Sequence, residues 1–516
     1  MSKNSSDFLF LLVKALSKGE KRAFKLFVAR HKSGENAKFL KLFNQIDRQD
    51  KYNEKKILKK EPSIIPSQLS NLKANLYKQV LLSLQNQKQP HNPSMQIRDL
   101  VDQANILYDK CLYRQSFKAI EKAKQLALKN DIPLLLLEIV EFEKKLATKL
   151  TDFKTDGIIN DLMQESAEIS EQLRSLHHFS NLSLKLYSFY MNIGFIRDHK
   201  DFEIVTSFFF SSMPAFKEEQ LSFDEKTYLF NSMVGYYFFI QDDERAFEYA
   251  KKWVQLFDEN PKLITPKTEM YIRAMNNLLI SQNKLYRYNE FVETFKRFEE
   301  IPTLKNINLT KNIKLLLFKY ISTHRINYFF LLGDFKNGVA IIPEIAKQLD
   351  EFSEHLGTHH TLIFYYKFAS MYFGNSQYQQ AVFWLNKIIN AQNLDLRSDI
   401  QGFARILNLI SHFELDNMDL VEHFILSTYR FLRKKGDLHE FQTYIIKFLK
   451  ALNKIKPEQL TALFKNLHRQ MLSLKNKPYE KRTFQYFDIV SWLESKIENR
   501  PVGEIIKEKA SKRILG

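Results

Sequence analysis

Leu69, Leu72, Leu76, Val80 and Leu84 recur every three or four positions, the period of one helix face, and predict a helix from about Ser67 to Leu84. The same spacing marks three earlier helices. Ser17-Lys18-Gly19-Glu20 has the form of a capping box, in which the serine hydroxyl accepts from the third amide and the glutamate reaches back. Ala23, Phe24, Leu26, Phe27 and Ala29 follow as a broad apolar face, ended by Ser33-Gly34. Phe39, Leu40, Leu42, Phe43 and Ile46 mark the next helix, and a third starts near Asn53 and is stopped by Pro62 and Pro66. Residues 87–96 are polar and carry prolines, so they predict a linker behind a helical module of residues 1–86.

From residue 97 to 435 the pattern becomes one of helix pairs. The most regular runs from Lys367 to Ile388: Tyr372 closes a first helix, Gly374-Asn375 turns, Tyr378 opens a second helix, and a small residue, Ala381, follows three positions on. A small side chain lets two antiparallel helices approach, and the flanking aromatics fill the space around it. The slots recur around Tyr113 with Ser116, Phe202 with Val205, Tyr237 with Asp243 and Ala246, Tyr288 with Phe291, Phe329 with Phe335 and Gly338, and His412 with Met418 and Val421. The helix-opening positions 202, 243, 288, 335, 378 and 418 lie 41, 45, 47, 43 and 40 residues apart. The longer step from 113 to 202 predicts a further pair around 133–172. Residues 436–516 continue as helices near 439–453, 457–474 and 478–498, with Pro457 and Pro478 at helix starts and Trp492 giving bulk to a cap. Residues 500–516 are expected to form a short, charged, frayed end.

The aromatic of the first helix and the aromatic-x-x-Ala step opening the second resemble the tetratricopeptide repeat. The periods exceed the roughly 34 residues of that repeat and overlap the roughly 40–47 of HEAT units. The resemblance is thus to a divergent, long-helix form over about two-thirds of the chain, with HEAT as the alternative. It implies an all-α, right-handed solenoid of helix pairs whose groove binds peptides or protein segments, and it implies no reaction.

Composition agrees with the all-α reading. Gly and Pro number 13 each in 516 residues, well below the roughly 7% and 5% of ordinary chains, and turn-rich sheet proteins need both. One cysteine, Cys111, excludes an internal disulfide and a thiolate zinc cluster. The run Phe8-Leu9-Phe10-Leu11-Leu12-Val13 is preceded by Asp7 and ended by Lys14, which is not the form of a signal peptide. No apolar run approaches the roughly 18 residues of a membrane span, so the expected location is cytoplasmic. The net charge of +18 is uneven: residues 1–90 hold 19 Lys/Arg against 7 Asp/Glu, residues 431–516 hold 19 against 9, and the middle is slightly acidic. An even codon bias does not produce that distribution, and basic ends suit a polyanionic partner.

Glycine positions exclude several catalytic loops. No two glycines stand two or four apart, which removes Gly-x-Gly-x-x-Gly and Gly-x-Ser-x-Gly, and Gly333–Gly338 is followed by Val339-Ala340 where a phosphate loop needs Lys-Ser/Thr. His355, His359 and His360 have helical metal spacing, but Gly357 between them suits a helix terminus better. No metal or other cofactor is expected. Lys51, Lys55, Lys56, Lys59 and Lys60 cluster on a short helix before the Pro62–Pro66 turn. The following helix offers Ser67, Gln68, Ser70, Asn71, Lys73, Asn75 and Lys78, a loose helix-turn-helix with phosphate-neutralising lysines but no arginine. Two functions compete: a non-enzymatic scaffold binding protein or peptide partners, and a nucleic-acid-associated factor using the basic module. In the first, the groove is lined by first helices at roughly 223–240, 266–283, 309–331, 358–374 and 397–414, with Asn231, Asn276, Asn277 and Gln282 as candidate backbone contacts.

Overall fold

The computed structural model describes the whole chain except residues 1–4, 30–33, 88–91, 151–154, 194–195, 197, 306, 392–396, 437, 453–456, 476, 478, 482 and 516. Among the described residues every regular element is a helix. The chain divides into two compact units, Met1–Asn92 and Pro93–Gly516.

The first unit holds α1 (Ser5–Ala15), α2 (Lys18–Ala29), α3 (Gly34–Asp47), α4 (Glu54–Lys60) and α5 (Pro66–Asn86). The capping box forms: the Ser17 amide donates to Glu20 Oε2 at 2.7 Å and the Glu20 amide to Ser17 Oγ at 3.2 Å. Leu9, Val13, Phe24, Leu42, Phe43, Ile46, Ile57, Leu76 and Val80 make the core, so Leu9 and Val13 of the apolar run at residues 8–13 are packed inside while Phe8 and Leu11 stay exposed.

The second unit holds α6 (Pro93–Asp109), α7 (Tyr113–Lys129), α8 (Pro133–Ala147), α9 (Thr155–Ile193), α10 (His199–Ser212), α11 (Phe223–Phe239), α12 (Asp243–Glu259), α13 (Thr268–Lys284), α14 (Tyr288–Glu299), α15 (Lys311–Leu332), α16 (Phe335–Leu356), α17 (Thr358–Gly374), α18 (Tyr378–Ile389), α19 (Ser398–Glu414), α20 (Met418–Lys435), α21 (Glu440–Leu452), α22 (Leu460–Leu474), α23 (Thr483–Tyr486), α24 (Ile489–Glu498) and α25 (Val502–Leu515). Almost every helix packs against the next in order; α9 instead packs on α8 and then chiefly on α11. The expected pair around 133–172 is therefore α8 and the first half of one 39-residue helix. First helices in the middle of the array bury more than one stripe, and α19 is buried at every position from Asp399 to His412 except Arg405, whereas α6 buries only Ile97, Val101 and Ala104. Second helices bury one stripe, as Phe291, Phe295 and Phe298 of α14 or Ala381, Leu385 and Ile388 of α18.

Among the described residues one turn recurs six times before second helices, and Asp131, at φ 51°, makes the same closure before α8. Cys111, Gln241, Tyr286, Gly333, Ser376 and Asp416 all have φ between 56° and 65°, and each stands two residues before a second helix, at Tyr113, Asp243, Tyr288, Phe335, Tyr378 and Met418. The next amide bonds the carbonyl five residues back at 2.9–3.0 Å, which with the three-residue bond beside it is a Schellman closure. Only one of the six residues is glycine, so scarce glycine does not mean few left-handed turns. Replacing Cys111 or Gln241 by glycine is expected to raise stability by about 0.5–1 kcal/mol each, the relief of a left-handed side chain less glycine's extra chain entropy. A urea midpoint that falls for both variants refutes the strain.

The C-terminal end departs from expectation in two places. Residues 478–498 are not one helix: Asp488 caps α24 by accepting from the Ser491 amide at 3.1 Å, and the chain breaks after Tyr486. Pro478 lies outside the described residues. The end expected to fray is α25, which buries Val502, Ile505 and Ala510 and packs on α24 and back on α15. Its backbone comes so close that a Cβ on Gly503 would lie 2.7 Å from the Gly374 carbonyl oxygen, and one on Gly333 would lie 2.6 Å from Lys507 Cα. Charged sequence hides this contact because the approach depends on absent side chains.

Candidate interaction surfaces

In the first unit, Lys51, Lys55, Lys56, Lys59, Lys60 and Lys78 are exposed, and no described carboxylate lies within ion-pair distance of any of them. Asn53 starts α4, its Oδ1 accepting from the Lys56 amide at 3.0 Å, and buried Ile57 anchors the helix. The two neighbouring acids are engaged elsewhere. Glu54 pairs with Lys73 and accepts from Tyr52, and the Lys73 hydrogen bond holds its carboxyl below the usual value. Glu61 pairs with Lys41 at 3.6 Å and accepts from Gln45 at 3.3 Å. Lys73 is thus separated from the other six: it binds Glu54 and lies over the Tyr52 ring at 5.6 Å.

In the second unit a polar chain crosses three first helices. His324 is fully buried, and burial followed by the nearby Lys367 charge pushes its pKa down to about 3. A neutral imidazole fits its partners: Nε2 donates to Asn276 Oδ1 at 3.0 Å and Nδ1 accepts from Asn327 Nδ2 at 3.5 Å. Lys367 donates to Asn327 Oδ1 at 2.6 Å, and burial lowers its pKa to about 8. The chain links α13, α15 and α17 and accounts for polar residues in otherwise apolar helices.

Beside it runs a row of cationic side chains. Arg273 of α13 is exposed and bonds Glu269 at 2.8 Å. Lys319 of α15 has no carboxylate within ion-pair distance among the described residues; its Nζ lies 3.4 Å from His360 Nε2 and 4.2 Å from the Tyr320 ring centre. Burial, then the Arg273 charge, lowers its pKa to about 8. Burial, then the Lys319 charge, lowers His360 to about 3; burial, then Arg397, lowers His359 to about 4. One end of α15 repeats the arrangement, with Lys311 Nζ 2.8 Å from His355 Nε2. His355 and His360 therefore face lysine amines, and no metal-holding group of three or more His, Cys, Asp or Glu side chains occurs among the described residues. Half-buried Lys319 thus faces a neutral imidazole, where Lys267 has Asp224 at 2.6 Å and Lys284 has Asp243 at 2.9 Å.

The amides expected to meet a ligand are mostly occupied. Asn276 and Gln282 are buried, Gln282 donating to Thr294 at 3.0 Å across the α13–α14 contact. Asn231 donates to Ser183 at 2.6 Å, tying α11 to α9, and Asn277 donates to the Arg273 carbonyl of its own helix at 3.0 Å. They hold helices together, which follows from the burial of first helices on both sides.

Sequence reasoning missed a buried network. Arg397, left-handed at φ 57°, donates from Nε and Nη2 to the two oxygens of Asp399 at 2.8 Å each, and both side chains are 3% exposed. Arg397 also donates to Tyr190 Oη at 2.7 Å and Tyr486 Oη at 3.3 Å, and Tyr486 donates to Asp399. Tyr486 stacks on Phe403 with ring centres 4.3 Å apart. The local signal was Arg-x-Asp alone; the tyrosines stand 207 and 89 residues from Arg397. The network joins the ends of α9 and α23 to the start of α19.

No helix among the described residues is long and apolar enough to cross a membrane. The chain matches no protein-family model and no curated protein. Its class is accordingly the architectural one: an all-α protein of consecutively packed helices carrying two distinct cationic surfaces.

Proposed function

We propose that the chain is a non-enzymatic scaffold whose helix pairs stack as a right-handed, tetratricopeptide-like solenoid and whose first helices bind an acidic segment of a partner protein. The observation that carries the reading is Lys319 of α15, half-buried against His360 of α17 with no carboxylate within ion-pair distance among the described residues, flanked by the exposed cations Arg273, which holds Glu269, and Lys311. A cation desolvated without a counter-charge is unfavourable, and an incoming carboxylate relieves that state. The six repeated turns support the repeat reading, since they set successive pairs at one geometry.

The test is purification of tagged full-length protein from its native host at low salt, with nuclease, beside the double variant Arg273→Ala/Lys319→Ala. Arg273 is exposed and Lys319 is half-buried without a carboxylate, so the variant is expected to keep its thermal midpoint or to gain slightly. It is expected to lose most of the partners that survive nuclease on the wild type. Identical partner sets at equal stability refute the row as the binding face, and a tightly held cofactor or turnover of a substrate refutes the scaffold.

A further inference from the structure

We infer that the Met1–Asn92 unit binds double-stranded DNA, with α5 in the major groove and the lysines of α4 on the flanking phosphates. This surface and this partner are separate from the row on the second unit.

Charge is the first argument. Lys55 and Lys59, and Lys56 and Lys60, stand four apart on a seven-residue helix, where like charges repel by a few tenths of a kcal/mol per pair. Glu54 and Glu61, the acids at either end of α4, are consumed by Lys73 and Lys41, so no carboxylate among the described residues relieves the repulsion. Lys59 and Lys60 gain from the helix C-terminal dipole, but Lys55 and Lys56 do not. A polyanion removes the repulsion and releases its own counterions.

The second argument is the face of α5. This helix is 21 residues long, about 31 Å, and buries only Leu69, Leu76, Val80 and Ser83. On the arc away from them, Gln68, Asn71, Asn75 and Lys78, at intervals of three and four, are all exposed. A long helix free on one side has the dimensions the major groove admits, and Asn and Gln amides pair bidentately with adenine N6 and N7. Arginine, the usual guanine reader, is absent from residues 49–97, which points to A·T-rich sites. A single strand is disfavoured, because it needs a run of aromatic platforms. Tyr52 is covered by Lys73, and Tyr77 is the lone aromatic of α5.

The experiment measures fluorescence anisotropy of a labelled A·T-rich duplex of about 24 base pairs with the full-length chain, across salt from about 50 to 200 mM. Binding is expected to fall steeply with salt, with a log–log slope of roughly −4 for four or five phosphate contacts. Lys55→Gln/Lys56→Gln/Lys59→Gln/Lys60→Gln, which removes the four charges and their mutual repulsion without placing carboxylates on the helix C-terminus, is expected to weaken it at least about 30-fold at 50 mM salt with the melting midpoint little changed, since all four side chains are exposed. Gln68→Ala/Asn71→Ala/Asn75→Ala is expected to keep the salt slope and to lose the preference over a G·C-rich duplex. The inference is overturned by no binding at low salt, by equal binding of the quadruple variant, by tighter binding to single-stranded RNA or to phosphatidylserine vesicles, or by an unchanged base preference in the triple variant.

Discussion

Asp399→Ala is expected to destabilise the Pro93–Gly516 unit by about 3–5 kcal/mol, because it leaves the Arg397 guanidinium buried without its carboxylate. Two tyrosine hydroxyls do not replace a negative charge, and the network lies far from solvent. The Arg397→Met/Asp399→Leu double variant is expected to lose much less, since removing both charges removes the desolvation along with the attraction. Urea midpoints of the wild type and both variants separate these cases; equal losses in the single and double variants overturn the account. The pH dependence has a definite sign. Burial alone would raise the Asp399 pKa, but Arg397 beside it, with the hydrogen bonds from Arg397 and Tyr486, holds the carboxyl below its ordinary value. A folded-state pKa below the unfolded one gives stability that is present above about pH 3.9, the unfolded value, and lost as pH falls through the lower folded value. The pair therefore keeps its contribution at neutral pH and gives it up only in strong acid. In Asp399→Asn that acid-dependent part is expected to disappear.

Gly374→Val is expected to cost roughly 3 kcal/mol and to loosen α25 at the same time. Gly374 ends α17, and a Cβ there would lie 2.2 Å from the Phe335 ring, itself almost fully buried. The carbonyl of Gly374 faces Gly503 of α25, so a displaced turn pushes on the terminal helix as well. Gly503→Ala separates the two effects: its Cβ meets only backbone at the Gly374 carbonyl and the edge of Phe335, so α25 has to move while α17 and α16 keep their contact. Proteolysis is expected to clip Gly503→Ala near Arg500 with the global urea midpoint little changed, and to find Gly374→Val both clipped and less stable. A Gly374→Val protein as stable and as resistant as wild type overturns the packing argument.

How much of this was legible in the chain depends on how local the cause is. Helix starts at Tyr113, Asp243, Tyr288, Phe335, Tyr378 and Met418 could be read from the aromatic slots and the periodicity around them, because those residues contact neighbours within one pair. Buried Ala246, Ala381 and Ser116 fill the small-residue slots for the same reason. The four lysines of α4 and Lys51 before it were legible as a cluster, since the five fall within ten residues; that Lys73 is withdrawn to Glu54 was not, because the pair closes over a turn. The positions of Asn276 and Gln282 were read correctly as first-helix residues and incorrectly as outward-facing. Nothing in their own helix shows that both of its sides are covered.

By itself, the sequence determined the all-α class, the rhythm of helix and turn, and the concentration of positive charge at the ends, since each follows from residue periodicity, side-chain size and composition. Tertiary structure alone decided which polar groups were spent inside. It brought Tyr190 and Tyr486 to Arg397, faced Lys319 with His360 rather than a carboxylate, and laid α25 on the glycines of turns 129 and 174 residues earlier. The physical reason is that a buried charge or a bare glycine has meaning only through what touches it, and those contacts join residues whose separation along the chain carries no pattern.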